Sequence, residues 1–202
     1  RIGDYNPGAL SENLSLKERI AFLKDQIMDV ESGLDELKGI IENADKQVDK
    51  VFRHALKNID LRFNSLFKRL FGGGEARLEL GNSSESIWDE GIEIFARPPG
   101  KRLQSLAQLS GGEQSLAAIS LLFACMEVAQ VPVAILDEVD AALDEVNLRR
   151  FVELITEYSN TIQLLIMTHR RFTMEKADIM YGVTMPEPGL SKIVGVRLAD
   201  WK

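Results

Sequence analysis

The sequence predicts an α/β lobe with a parallel βαβ core and extra antiparallel strands, preceded by one long coiled-coil helix. Three observations predict it. Apolar residues recur in alternating steps of four and three from Leu16 to Ala55 without a miss, which is the seam of a heptad helix. Two apolar runs of strand length, Val133 to Leu136 and Thr161 to Thr168, flank an amphipathic segment from Glu145 to Tyr158. Strand, helix and strand in that order imply a parallel pair with a right-handed crossover. The first run ends in two acids, Asp137 and Glu138, and in open α/β sheets ligands bind beyond the carboxyl ends of the strands. A bound metal and an attacked phosphate would sit there.

The chain has 202 residues, 45% of them hydrophobic, which supports one compact domain with an appendage. We divide it into a lead-in and rod root, residues 1–71, and a lobe, residues 72–202. Acidic and basic side chains balance over the first part, so the net charge of −7 falls on the second. With a pI of about 5.0, bulk charge does not advertise nucleic-acid binding. The single cysteine, Cys125, lies in an apolar helical run and reads as a small core residue. One cysteine forms no internal disulfide, which fits a reducing compartment. No apolar run approaches membrane-spanning length and no secretory signal is visible. The chain begins at Arg1 and reads as a piece of something longer.

Arg1 to Asn13 carries Gly, Pro and Asn and is expected to be irregular. The heptad seam follows as Leu16, Ile20, Leu23, Ile27, Val30, Leu34, Leu37, Ile41, Ala44, Val48, Val51 and Ala55. At about 1.5 Å per residue it makes a rod of roughly 60 Å. The seam then shifts to Ile59, Phe63, Leu66 and Leu70 with an extra step of four, a stutter that relaxes the supercoil. So narrow a seam does not stay dry alone, and no second heptad segment is present to pair with it. Its partner comes from another chain or a missing part of the same protein; a homodimeric parallel coil also satisfies the pattern. Phe22, Met28, Phe52 and Phe67 lie off the seam and are expected to pack on a neighbouring domain, or to line a groove for a helical partner. Arg53, Lys57, Arg62, Lys68 and Arg69 face only Asp60, as a solvated face or as a phosphate-contacting patch.

Phe71-Gly72-Gly73-Gly74 follows a helix rather than a strand, so a helix C-cap explains it better than a phosphate cradle. Arg77 to Leu80 and Gly91 to Ala96 alternate as strands around the polar loop Gly81 to Glu90, and Arg97-Pro98-Pro99-Gly100 ends the second. Lys101 and Arg102 read as surface cations, with the steering of anions as the alternative. Ser110 to Val128 is a helix. Ser110 ahead of Gly111, Gly112 and Glu113 forms a capping box, and the glycines let backbone N–H groups turn toward an anion. His169-Arg170-Arg171 and Thr173 to Ala177 form a turn and short helix. Tyr181 to Met185 and Lys192 to Leu198 are hairpin strands around Pro186-Glu187-Pro188-Gly189.

Leu109-Ser110-Gly111-Gly112-Glu113, then the strand ending in Asp137-Glu138, then Ala142-Leu143-Asp144, resembles the signature, Walker B and D-loop of ABC-type ATPases. His169, at the end of the second strand, stands where that family carries its switch histidine. No Gly-x-x-x-x-Gly-Lys-Ser/Thr occurs, so there is no cradle for the α and β phosphates. Together these point to the second half of a split ATPase. The chain also resembles, over nearly its whole length, the C-terminal part of bacterial structural-maintenance-of-chromosomes (SMC) proteins. The rod, Phe71-Gly72-Gly73-Gly74, Pro98-Pro99-Gly100-Lys101 and the stretch Ala177 to Met185 with Pro188-Gly189 and Ser191-Lys192 carry that likeness.

The resemblance implies the C-terminal lobe of an ABC-type P-loop NTPase head with its coiled-coil helix. It implies ATP and Mg²⁺ as ligands. It implies as partners the Walker A half of the same protein, a second head, a kleisin subunit and DNA, with no membrane, in the cytoplasm and on the nucleoid. By the same resemblance Asp137 holds Mg²⁺, Glu138 is the general base and His169 contacts the γ-phosphate. Ser110, Gly111, Gly112 and Glu113 belong to the signature that meets ATP on the opposite head, and Asp144 lies at the head–head seam. The alternative is a DNA repair or recombination ATPase of the same architecture. A transporter subunit leaves the rod unexplained, and intact Asp137, Glu138 and His169 argue against a decayed adaptor.

Overall fold

The computed structural model describes residues 8–81 and 91–197. The loop expected at Gly81 to Glu90 lies outside them apart from Gly81, as do Leu198 and the first seven residues of the lead-in. The remainder of the lead-in differs from expectation: helix α1 begins at Ala9 and runs to Phe71. Its first turn is closed by Glu12 N–H donating to Gly8 O at 3.0 Å and by the Ser11 hydroxyl on the same carbonyl at 2.9 Å. Ser11 and Glu12 favour the start of a helix, which outweighs the weak propensity of Asn13.

Two compact units divide between Arg53 and His54. The helix ends at residue 71, where the composition changes, but its last eighteen residues belong to the second unit. In the first unit the seam residues are exposed: Leu16 53%, Ile27 57%, Leu37 57%, Val51 69%. Phe22 and Met28, off the seam, are exposed as well.

In the second unit Phe63, Leu66, Phe67 and Leu70 are buried. Phe67 stacks on Phe71 with centroids 3.9 Å apart and meets the edge of Phe63. Phe67 packs on the neighbouring lobe as expected of an off-seam residue, inside this chain's own core. The basic stretch near it is largely paired. Arg62 meets Glu127 at 3.1 Å, Arg69 binds Glu157, and Asp60 accepts the Leu78 N–H at 2.7 Å. This supports the solvated-face reading over a phosphate patch.

The helix ends at the glycine run as a C-cap. Gly73 N–H reaches Lys68 O at 2.8 Å, and Gly72 and Gly74 hold φ of 72° and 83°. A Cβ on Gly74 would stand 2.2 Å from Arg97 O, which excludes any other residue. β1 (Glu75–Leu80), β2 (Ile92–Arg97) and the short β3 (Gln104–Ser105) form an antiparallel sheet. Helix α2 (Gly111–Ala129) follows, then β4 (Val133–Asp137), α3 (Glu145–Tyr158) and β5 (Gln163–Met167). β4 and β5 pair in parallel, Val133 opposite Gln163 through Asp137 opposite Met167. α4 (Arg171–Met174) and the antiparallel hairpin β6 (Ile179–Glu187) and β7 (Leu190–Arg197) complete the described chain.

The core joins α1's end, α2 and α3 to one face of β4–β5: Phe67, Phe123, Phe151, Leu154 and Leu136 are all buried. The apolar runs of β4 and β5 are buried on only one face. Val133, Ile135, Leu165 and Met167 are 57%, 63%, 50% and 45% exposed. A parallel sheet is stable when both faces are covered, and in this chain the helices cover one. The expectation about apolar runs also needs correcting. α2 has 19 residues and is apolar enough, by length and composition alone, to cross a bilayer. Its Leu116, Ile119 and Phe123 are buried in the core.

Candidate functional site

β4 delivers Asp137 and Glu138 to the carboxyl end of the parallel pair, both exposed. Glu138 is held at φ 48°, a left-handed conformation that a glutamate rarely adopts. Its N–H donates to Met167 O at 2.9 Å, and its carbonyl accepts Ala141 N–H at 3.1 Å. The backbone therefore turns sharply just past the strand and presents the carboxylate at the sheet's edge. His169, two residues past β5, brings Nδ1 to 3.8 Å from Glu138 Oε1, with both side chains about two-thirds exposed. An acid and an imidazole from two strand ends thus share one open position.

Asp140 was not foreseen as a site residue, and the structure gives it a positioning part. It is fully buried. Its carboxylate accepts Thr168 Oγ1–H at 2.8 and 3.0 Å and Thr173 Oγ1–H at 2.6 Å. Thr168 Oγ1 in turn accepts Arg170 N–H at 2.9 Å, and Arg170 Nη2 reaches Leu143 O at 3.1 Å. His169 lies between two residues that are both tied to the Glu138–Asp144 turn. The only sequence signal was an acid inside an otherwise small and apolar turn, Val139-Asp140-Ala141-Ala142-Leu143.

Asp144 caps α3. Its Oδ1 accepts Asn147 N–H at 2.8 Å and its Oδ2 accepts the Asn147 amide at 3.0 Å, the ordinary way an N-cap satisfies a helix start. Ser110 is the N-cap of α2. Glu113 reaches back as the capping box predicts: its Oε2 accepts Ser110 N–H at 3.1 Å and Ser110 Oγ–H at 2.8 Å. Lys101 is exposed, as a surface cation is expected to be, and its Nζ lies 2.9 Å from the same carboxylate. The Lys101 ammonium foremost, with Ser110 assisting and burial opposing, holds the Glu113 carboxyl below its ordinary value.

At Gly111 a Cβ would meet open space; at Gly112 it would touch Ala142 O at 3.4 Å. The helix start therefore lies against the Asp140–Asp144 turn on one side and open on the other. The structure brings Glu138 to His169 and Gly112 to Ala142, and it assembles Lys101, Ser110 and Glu113. Cys125 is half-buried, and burial pushes its thiol up, which suits a packing residue.

Among the described residues no three His, Cys, Asp or Glu side chains gather as a metal cluster. A site for Mg²⁺ commonly takes only one or two carboxylates together with substrate phosphates and water. Asp137, exposed beside Glu138, is a suitable donor of that kind.

These features define a class: a head lobe of the ABC type, carried on a coiled-coil helix, with its acids and signature turn present and the glycine-rich phosphate loop absent from the sequence. The chain belongs to the RecF/RecN/SMC N-terminal-domain family, whose model matches residues 11–192. It is 43% identical over 201 residues to the chromosome partition protein Smc of Bacillus subtilis, which covers 100% of this chain and 17% of that protein. The chain thus spans about a sixth of the length of the curated relatives it matches. Among solved structures it is similar to the Smc head domain of Pyrococcus furiosus, with an extended coiled coil and bound to the C-terminal domain of ScpA. That match has a TM-score of 0.74 and 32% identity, over 96% of this chain and 48% of that one. It is also similar to a structure described for ATP-driven dimerisation and DNA-stimulated activation of SMC ATPases, at TM-score 0.67 and 36% identity, over 74% of this chain and 90% of that one.

Proposed function

We propose that this chain is the signature and Walker B half of an ATP-hydrolysing head of a chromosome partition ATPase. The observation that carries the reading is the meeting of Glu138 and His169, 3.8 Å apart at the ends of two parallel strands, beside a sheet face left bare. The bare face and the exposed seam call for the segment that bears the P-loop and the antiparallel coiled-coil helix. We keep the segments rod root, residues 1–71, and lobe, residues 72–202, with the last eighteen residues of the helix counted in the lobe's compact unit.

Phosphoryl transfer needs positioning and charge stabilisation more than covalent chemistry. Asp137 holds Mg²⁺, which when bound neutralises charge on the phosphates. Glu138 takes the role of general base, polarising the attacking water, a task suited to an exposed carboxylate at the strand end. His169 contacts the γ-phosphate. Ser110, Gly111 and Gly112 supply the donors of the clamp on ATP held by the opposite head, Glu113 closes the signature turn behind them by accepting from Ser110, and Asp144 lies at the seam between heads. Hydrolysis then requires two engaged heads, and ATP acts as a removable tie between them.

The likeness to ATP-dimerised SMC ATPases and to an ScpA-bound Smc head supports a second head, a kleisin and DNA as partners, and the chromosome partition relatives suit a place in the cytoplasm, on the nucleoid. The chromosome partition relatives favour this over the repair and recombination reading.

The test uses the complete protein. Glu138→Gln is expected to trap ATP-engaged heads and abolish turnover; turnover at the parental rate would remove Glu138 as the base. Ser110→Arg is expected to block engagement while each head still binds ATP. The isolated 202-residue chain is expected to bind Mg-ATP only weakly by calorimetry, and micromolar binding would contradict the split-site reading.

A further inference from the structure

Three donors converge on one carboxylate at the start of α2. The turn at Pro98–Lys101 is closed by Lys101 N–H on Pro98 O at 3.1 Å, with Gly100 at φ 77°. It points Lys101 at Glu113, where Nζ lies 2.9 Å from Oε1 and 2.9 Å from Oε2. Ser110 adds its N–H and its Oγ–H to Oε2. Glu113 is 20% exposed at its side chain and Lys101 49%. The carboxyl is held below its ordinary value chiefly by Lys101, so it is ionised at neutral pH.

This arrangement conflicts with binding an anion at the same helix start. A carboxylate in the first turn satisfies the helix dipole and repels an incoming phosphate. A serine hydroxyl has one proton to donate, and here Ser110 gives it to Glu113. We propose that Lys101 is a positioning residue for the phosphate clamp: it neutralises Glu113 and keeps it satisfied, so that the Ser110 hydroxyl can turn from Glu113 to the γ-phosphate of the opposite head. No covalent bond changes; one O–H donor exchanges acceptors. Without Lys101, Glu113 retains the hydroxyl and its charge opposes the phosphate. The inference rests on the trans-clamp reading given above.

The test compares the complete protein with its Lys101→Met, Lys101→Arg and Glu113→Gln variants and the Lys101→Met/Glu113→Gln double variant. Each is made in the Glu138→Gln background for ATP-dependent head dimerisation by analytical ultracentrifugation, and in the active background for KM and kcat. Lys101→Met is expected to weaken ATP-driven dimerisation roughly tenfold, the scale of a partly exposed charge contact, while ATP binding by single heads is unchanged. Lys101→Arg retains most of the parental affinity. The double variant recovers most of the loss, because with the carboxylate gone nothing needs neutralising.

A purely structural tie shows its loss and its rescue in unfolding stability as well, whereas a positioning role changes dimerisation while the urea midpoints of all the variants stay parental. Parental dimerisation in Lys101→Met, or losses that add in the double variant, would overturn the proposal. Ser110→Arg, run in parallel, separates the two levels. If it dimerises normally the trans-clamp reading fails; if it is blocked while Lys101→Met is parental, only the role of Lys101 fails.

Discussion

Leu16–Val51 and Ile59–Leu70 carry the same kind of apolar repeat along one helix, and they end in opposite environments. The first stretch leaves its seam exposed, with Ile27 at 57% and Val51 at 69%; in the second Phe63, Phe67 and Leu70 are fully buried. The difference is what lies opposite. After the stutter at Ala55, α2, α3 and the glycine-capped β1 supply a complementary surface, so the repeat closes on this chain's own core. Before it, no segment of this sequence supplies the facing knobs and holes. An apolar periodicity states that a face needs cover and leaves the source of the cover open.

Truncation measures that difference directly. Phe67→Ala is expected to destabilise the 202-residue chain by about 3–5 kcal/mol in urea unfolding, the cost of a buried aromatic cavity. Ile27→Ala in the same chain is expected to change it by less than about 0.5 kcal/mol. A large effect of Ile27→Ala in the chain alone would mean that its seam is already covered.

The acids of the β4–α3 turn repeat the contrast. Asp140→Ala leaves the Thr168 and Thr173 hydroxyls without their buried acceptor and is expected to cost about 2–3 kcal/mol. Asp144→Ala, which removes an exposed cap, is expected to cost about 1 kcal/mol in the same measurement.

The smallest effect is spectroscopic. Tyr158 donates to Glu127 at 3.0 Å, and burial first, then Glu127, pushes its hydroxyl from 10.0 up to about 12. A raised value means the folded state favours the neutral phenol. Its contribution to stability is whole below pH 10 and is lost as the pH rises toward about 12. Ultraviolet titration is expected to show a late-ionising tyrosine, and Tyr158→Phe to remove it.

Much of the lobe was legible because its signals are local. The Glu145–Tyr158 helix, the glycine C-cap and the Ser110–Glu113 box depend on residues within a few positions of one another, and the structure reproduces them. Helix α1 entering at Ala9 was missed because Gly, Pro and Asn nearby outvoted a favourable Ser11 and Glu12. The Lys101–Glu113 pair was not legible because its two ends lie across a turn and a short strand. Asp140 was passed over because one acid among small residues looks like any solvated turn until the tertiary structure buries it.

What the sequence determined by itself was the inventory: a heptad face in need of a partner, a βαβ order, two acids past the first strand, a histidine past the second, and no phosphate loop. Periodicity and turn chemistry are short-range, so residues alone suffice to state them. What only the tertiary structure decided was adjacency. It set Glu138 against His169, Asp140 beneath Thr168 and Thr173, and Lys101 on Glu113. Those contacts arise when the core closes, because packing α2 and α3 against one face of β4–β5 fixes which turns meet at its end.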